Sequence, residues 1–165
     1  MSLRTVCFTG HRDMPPAASP EYRQIVRDTQ YAITQVIGQG ATVFYTGGAP
    51  GYDLLCGEMI LLMQQRLPTL ELHILLPYGG FARGPRYRPL LEKAQEVLIL
   101  SSHYYQGCMQ FRNQRLVEEA DACIAYLRRA PSGTAYTVSR ARQKGIELLA
   151  LTDHAPALPD GAHPW

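Results

Sequence analysis

The stretch ATVFYTGGAPGYD, Ala41–Asp53, carries the fold in miniature. Its first five residues, Ala41–Tyr45, are apolar or β-branched with no alternation, as in a strand buried on both faces. Thr46-Gly47-Gly48 breaks that run. A helical pattern follows from about Tyr52 to Arg66, with a buried stripe expected at Leu55, Met59, Leu62 and Met63, and Pro68 stops it. Strand, glycine loop and helix in that order form the repeating unit of a parallel α/β sheet.

The same unit recurs on either side. Upstream, Arg4–Thr9 reads as a strand that breaks at Gly10, and Ser19-Pro20 supplies a helix cap with proline at the first helical position. Tyr22, Ile25, Val26, Thr29, Ile33, Val36 and Ile37 then share one helix face, and Gly38 and Gly40 end it. Downstream, strands are expected at Glu71–Leu76, Val97–Leu100, Ala122–Leu127 and Ile146–Leu151. Between them lie a short helix at Leu90–Gln95, a helix at Cys108–Glu119 packing through Leu116, Val117 and Ala120, and one from Thr134 to Lys144, ended by Gly145. The expected architecture is a Rossmann-like, doubly wound, mostly parallel sheet with helices on both faces, one domain over residues 1–151. Residues 152–165 are expected to form an irregular arm.

Composition narrows the classes. The chain has 165 residues, 46% apolar and 18% charged, enough for one well-packed core. Its formal charge of +2 does not by itself point to nucleic acid, so local arginine clusters matter more. No apolar run approaches the roughly 18–20 residues that span a bilayer, and Met1–Arg4 does not resemble a secretory signal, so a cytoplasmic protein is expected. Cys7, Cys56, Cys108 and Cys123 form no C-x-x-C pair and have no histidine at zinc-ligand spacing. They read as free structural thiols, with Cys56 and Cys108 the alternatives for reactivity. No metal site is expected, and His73 reads as a packed histidine.

Parallel sheets bind ligands beyond the carboxyl ends of their strands, which selects the loops to read. The first strand ends in Thr9-Gly10-His11-Arg12: a glycine that permits close approach, a histidine able to donate or titrate, and an arginine fork suited to phosphate. The second ends in Gly47-Gly48-Ala49 and a helix start carrying Asp53 and, five residues on, Glu58. Glycine amides at a helix start suit an anion, and Asp53 can cap the helix or meet a ribose hydroxyl. Arg112 and Asn113 sit in the fourth helix, and Ser132-Gly133-Thr134 opens another candidate cradle. Each loop also has a purely structural reading; four donor-rich loops at one expected edge favour a site.

In order and spacing, TGHR (Thr9–Arg12), GGAPGYD with Glu58 (Gly47–Asp53), YYQGCMQFRN (Tyr104–Asn113) and SGTAYTV (Ser132–Val138) resemble the SLOG superfamily, and within it the YpsA-like branch. The superfamily joins the Smf/DprA DNA-processing proteins with the LOG phosphoribohydrolases. The resemblance spans about residues 4–151 and implies a Rossmann-like fold that binds or processes nucleotides. Arg112 matches the motif arginine. The LOG catalytic glutamate has no counterpart, because Gly133-Thr134 is followed by Ala135-Tyr136-Thr137-Val138. The 78–89 segment is also shorter than the branch implies and lacks tryptophan.

Three functions compete at this stage. The first is a binding module for a nucleotide or an NAD-derived, ADP-ribose-like phosphate ligand, with no certain cofactor. The second is an N-glycosidic hydrolase or transferase using Asp53, Glu58 and His11. The third is a DprA-like binder of single-stranded nucleic acid using Arg83, Arg86 and Arg88 interleaved with Phe81 and Tyr87, with further charge from Arg128, Arg129, Arg140 and Arg142. A homodimer is expected, since exposed edges of this fold often pair.

Overall fold

The computed structural model of the chain describes residues 3–151. Six strands form one sheet: β1 (Thr5–Gly10), β2 (Val43–Thr46), β3 (Glu71–Leu76), β4 (Glu96–Ile99), β5 (Ala122–Tyr126) and β6 (Glu147–Leu151). Every pairing is parallel, in the order β4-β3-β2-β1-β5-β6. The chain winds outward from β1 to β4, then returns to the other side of β1 with β5. The switch point therefore lies between β1 and β5, where a crevice opens at the strand ends.

Five helices connect the strands: α1 (Pro20–Gly38), α2 (Tyr52–Gln64), α3 (Arg88–Lys93), α4 (Cys108–Glu119) and α5 (Gly133–Lys144). Alternate strand residues face opposite layers. Val6, Phe8, Phe44, Leu72 and Ile74 pack with α1, α2 and α3, while Cys7, Leu75, Cys123 and Ala125 pack with α4 and α5. Fully burying each large apolar side chain contributes about 1.5–3 kcal/mol. The expected cap forms at α1, where Ser19 Oγ accepts from Tyr22 N at 3.2 Å; at α5 Ser132 Oγ likewise accepts from Ala135 N at 3.0 Å. Among the described residues no helix is long and apolar enough to cross a membrane.

The sequence places β3 and α4 to the residue, while other ends shift by one or two. β2 starts at Val43, because Thr42 and Val43 donate first to Arg4 O. α2 ends at Gln64 rather than Arg66. α3 begins at Arg88, with Pro89 in its first turn, so it ends two residues before the expected Gln95, and β4 begins at Glu96. The larger difference is the rotation of α2. Leu55 and Met59 are buried as expected, but Leu62 is 64% exposed, and Leu54, Cys56 and Ile60 fill the core instead. α2 carries apolar residues nearly all round, so periodicity cannot choose its inner face. Its first residue does: Tyr52 is fully buried against Gly10, donates its amide to His11 O at 3.1 Å and joins its hydroxyl to Thr29 at 2.9 Å. The expected arm at 152–165 lies outside the described residues.

That docking makes Gly10 a packing residue as well as a cleft residue. A Cβ on Gly10 would lie 2.3–2.6 Å from Tyr52 ring and Cβ atoms, and Tyr52 has no room to yield. Gly10→Ala is therefore expected to lower stability by at least about 1–3 kcal/mol in urea unfolding. Gly38→Ala, where a Cβ meets nothing within 4 Å, is expected to be neutral or stabilising by up to about 1 kcal/mol.

Candidate functional site

A cleft of about 220 Å³ opens at the switch point, between the end of β1, the first turn of α4 and the start of α5. It gathers most of the residues singled out by sequence. Thr9, Gly10, His11 and Arg12 come from β1 and its loop, Ala49 and Asp53 from the start of α2, Arg112 and Asn113 from α4, and Ser132, Gly133 and Thr134 from the start of α5. At α5 the cap occupies only Ala135 N, and Tyr136 N already reaches Ser132 O. The first helical amides, Gly133 and Thr134, have no intrahelical acceptor by construction and border the cleft, a position that favours an anion.

The glycine loop before α2 does something different from what was expected. Gly47 and Gly48 are buried and do not line the cleft. The Gly47 carbonyl accepts from Arg112 Nη1, and a Cβ there would sit 2.5 Å from that nitrogen. Gly48 adopts φ +70°, and a Cβ would come within 2.6 Å of Leu76 Cδ2. The neighbouring donors are taken as well, Ala49 N by the Asp53 carboxylate at 3.2 Å and Tyr52 N by His11 O. The loop thus closes on the protein's own carboxylate and arginine, and the open cradle is the one at α5.

Glu58 is also not brought to the cleft. Five residues beyond Asp53 on a helix is about 140° around the axis, and Glu58 instead pairs with Arg86 at 2.7 Å. That leaves Asp53 as the one carboxylate among the cleft-lining residues. Asp53 is 6% exposed, and burial raises its carboxyl to about 6 against the opposing pull of Arg112, the Ala49 amide and Arg12. Arg112 is itself 4% exposed; burial lowers its pKa while Asp53 supports its charge. Its Nε donates to Asn113 Oδ1 at 2.7 Å. Arg12 is exposed at the rim, with Nη2 3.8 Å from Met109 Sδ.

His11 has a role opposite to the expected donor. Its Nε2 accepts from Arg128 N at 2.9 Å and Arg129 N at 3.4 Å, so the ring is neutral there and carries its proton on Nδ1. Burial, then the Arg129 charge, depresses its pKa. His11 therefore ties the loop after β5 to the end of β1, and protonation on Nε2 would break that tie. Cys56 and Cys108, the alternatives for reactivity, are both buried, and burial pushes the Cys56 thiol up, away from thiolate chemistry. His73 is packed as expected, 4.9 Å from the Tyr45 ring. No cluster among the described residues could hold a metal ion.

In the sequence Met109 stands out only as part of a motif, and Arg129 and Phe81 only as candidates for strand binding; none of the three is assigned to this cleft there. Met109 lies three residues before Arg112 on α4, so helix spacing could have found it. Arg129 borders the cleft from the loop after β5 and is held by Asp13 at 2.6 and 3.0 Å. Phe81 sits against both cleft arginines, 5.4 Å from Arg12 Cζ and 5.6 Å from Arg112 Cζ, and no local pattern signals that contact.

The buried Asp53 carboxyl has a testable linkage. Its folded pKa of about 6 lies above the unfolded value near 4, so the folded state binds more protons between them and this group's contribution falls as pH rises through that window. Asp53→Asn mimics the protonated form. Its stability relative to the parent chain is expected to improve between pH 4 and pH 6.5 and to level off above. Urea unfolding of both proteins across that range measures it; a pH-independent difference would mean that Asp53 is ionised throughout.

With this geometry in place, known proteins can be compared. The sequence profile of the YspA SLOG family (YpsA) matches residues 6–148. The UPF0398 protein BH1768 of Halalkalibacterium halodurans is 25% identical over 135 residues, 74% of this chain and 71% of that protein. The fold resembles the DNA processing protein A (DprA) of Streptococcus pneumoniae, with TM-score 0.67, 15% identity and 93% of this chain covered. The chain spans only 52% of that protein. It also resembles the DprA of Helicobacter pylori, whose single-stranded DNA binding has been described structurally, with TM-score 0.62, 20% identity, 93% of this chain and 67% of that one. A third solved structure, TM1055, gives TM-score 0.54 at 18% identity, over 88% of this chain and 72% of that one. At these identities the structures speak for the fold alone, whereas the profile covers most of the sequence: the chain belongs to the YspA SLOG family.

Proposed function

We propose that the chain binds a nucleotide or a nucleotide-derived phosphate ligand, of NAD or ADP-ribose type, in the cleft at the β1–β5 switch point. The observation that carries this reading is the convergence of three kinds of donor on one small cavity: the Gly133 and Thr134 amides, the buried Arg112 and the exposed Arg12. Phosphate oxygens would meet the α5 amides and the guanidinium groups. Asp53 is the acceptor suited to a ribose hydroxyl. The exposed outer strand, with Leu98 and Ile99 39% and 50% exposed, supports the expected homodimer.

A second reading is favoured by the same carboxyl. A buried acid raised to about 6 is poised to accept or deliver a proton near neutral pH, as cleavage of an N-glycosidic bond would need. Strand binding, suggested by the DprA likeness, has less support from the segment first considered for it. Tyr87 is buried in the core, Phe81 is packed on two arginines, and Arg86 is paired with Glu58.

Thermal unfolding with AMP, ADP, ATP, GMP, NAD and ADP-ribose tests the binding reading. A ligand at 100 times its dissociation constant adds about 2.7 kcal/mol, a shift of several degrees for a domain of this size. Arg12→Ala, at an exposed position, is expected to fold normally and to weaken binding by roughly ten- to a hundredfold, as loss of one charged hydrogen bond does. Chromatography of the incubated ligand separates binding from turnover: consumption that Asp53→Asn abolishes would establish the second reading. A response to an oligonucleotide alone, weakening steeply with salt, would replace both.

A further inference from the structure

The cleft is smaller than the roughly 300–1,000 Å³ usual for a drug-sized ligand. At about 220 Å³ it is of a size for a sugar phosphate. Directly behind its arginine rim runs a row of aromatic rings from two loops. Phe81 touches both guanidinium groups. Tyr78 meets Phe81 edge to face at 5.4 Å, and Tyr104 meets Tyr78 edge to face at 5.6 Å. The row ends in the open, with Tyr104 63% exposed and the adjacent Tyr105 43% exposed.

Resting on the nucleotide reading above, we infer that this row, with Tyr104 as its open end, is a stacking subsite for the base of the bound nucleotide. Three observations support the assignment. The loops after β3 and β4 are stitched together: Gly79 N donates to Ser101 O at 2.9 Å, and a Cβ on Gly79 would meet Ser102 O at 3.0 Å. Ser101 Oγ donates to His103 O at 2.8 Å, which braces the residue before Tyr104. The rings are thus pre-positioned rather than splayed at random. Exposed tyrosine rings hold their shape with few rotatable bonds and lose little freedom when they stack. Finally, Phe81 lies against two arginines that line the cleft, which sets the near end of the row beside the phosphate cradle. Stacking of this kind tolerates different bases, because every base has a π-face.

Calorimetric titration of the intact chain with AMP and with ribose 5-phosphate tests the subsite. The parent protein is expected to bind AMP on the order of tenfold more tightly. Tyr104→Ala should remove that preference and leave ribose 5-phosphate affinity unchanged, while Tyr104→Phe, which keeps the ring, should retain it. A preference that survives in Tyr104→Ala overturns the subsite while leaving cleft binding intact. Equal binding of both probes by the parent chain does the same. Failure of the parent chain to bind either probe overturns the subsite, and a flat thermal response to NAD and ADP-ribose as well overturns the nucleotide reading with it. An effect of Tyr104→Ala confined to oligo(dT), with AMP unchanged, assigns the row to strand binding and overturns it as a mononucleotide subsite.

Discussion

The guanidinium of Arg112 lies almost wholly out of water, and a buried cation survives only where acceptors and opposite charge surround it. Much of the local structure follows from meeting that demand. The Gly47 carbonyl and Asn113 Oδ1 take two of its five donors, and a side chain on Gly47 would collide with the arginine. Asp53 supplies the compensating charge from the first turn of α2, itself buried and held by the Ala49 amide. Phe81 closes the far side with its ring. Arg112 therefore ties α4, the end of β2, the start of α2 and the loop after β3 into one unit.

A second tie works across the switch point. Parallel strands β1 and β5 run side by side, so their exits diverge unless something holds the loops together. His11 does so by accepting two amides from the loop after β5, and Asp13 grips Arg129 two residues further along the first loop. The exposed Asp13–Arg129 pair contributes little by itself. The histidine itself is buried, and its Nε2 accepts from Arg128 N at 2.9 Å across the switch point. The cleft thus has a rigid wall on the β1 side, and its open donors are left at α5.

The resemblance to the DprA structures concerns the path of the backbone, and the chemistry of the cleft is this chain's own. A parallel sheet presents a crevice at its switch point whatever the sequence, so the fold alone names a place and not a ligand. This cleft holds a single carboxylate among arginines and an open helix start, with a row of aromatic rings beside it. The position after Gly133-Thr134 where LOG proteins carry a glutamate holds no acid here, so any acid chemistry falls to Asp53.

The sequence by itself determined the sheet class, the order of its elements and most of the cleft. Unbroken apolar strands separated by helices favour a parallel sheet with covered faces, and the loops at its strand ends converge on one edge. Local rules also sufficed at Ser19 and Ser132, since a cap needs only its own helix. Four matters were decided by tertiary structure. The inner face of α2 was set by Tyr52 docking on Gly10, because a helix apolar all round has no preferred side. Gly47 and Gly48 became packing space for Arg112 and Leu76 instead of a phosphate cradle, since a glycine's purpose depends on what approaches it. His11 became an acceptor rather than a donor, and Glu58 turned to Arg86. A side chain's chemistry follows from its partner, and these partners lie from 28 to more than 100 residues away in the chain.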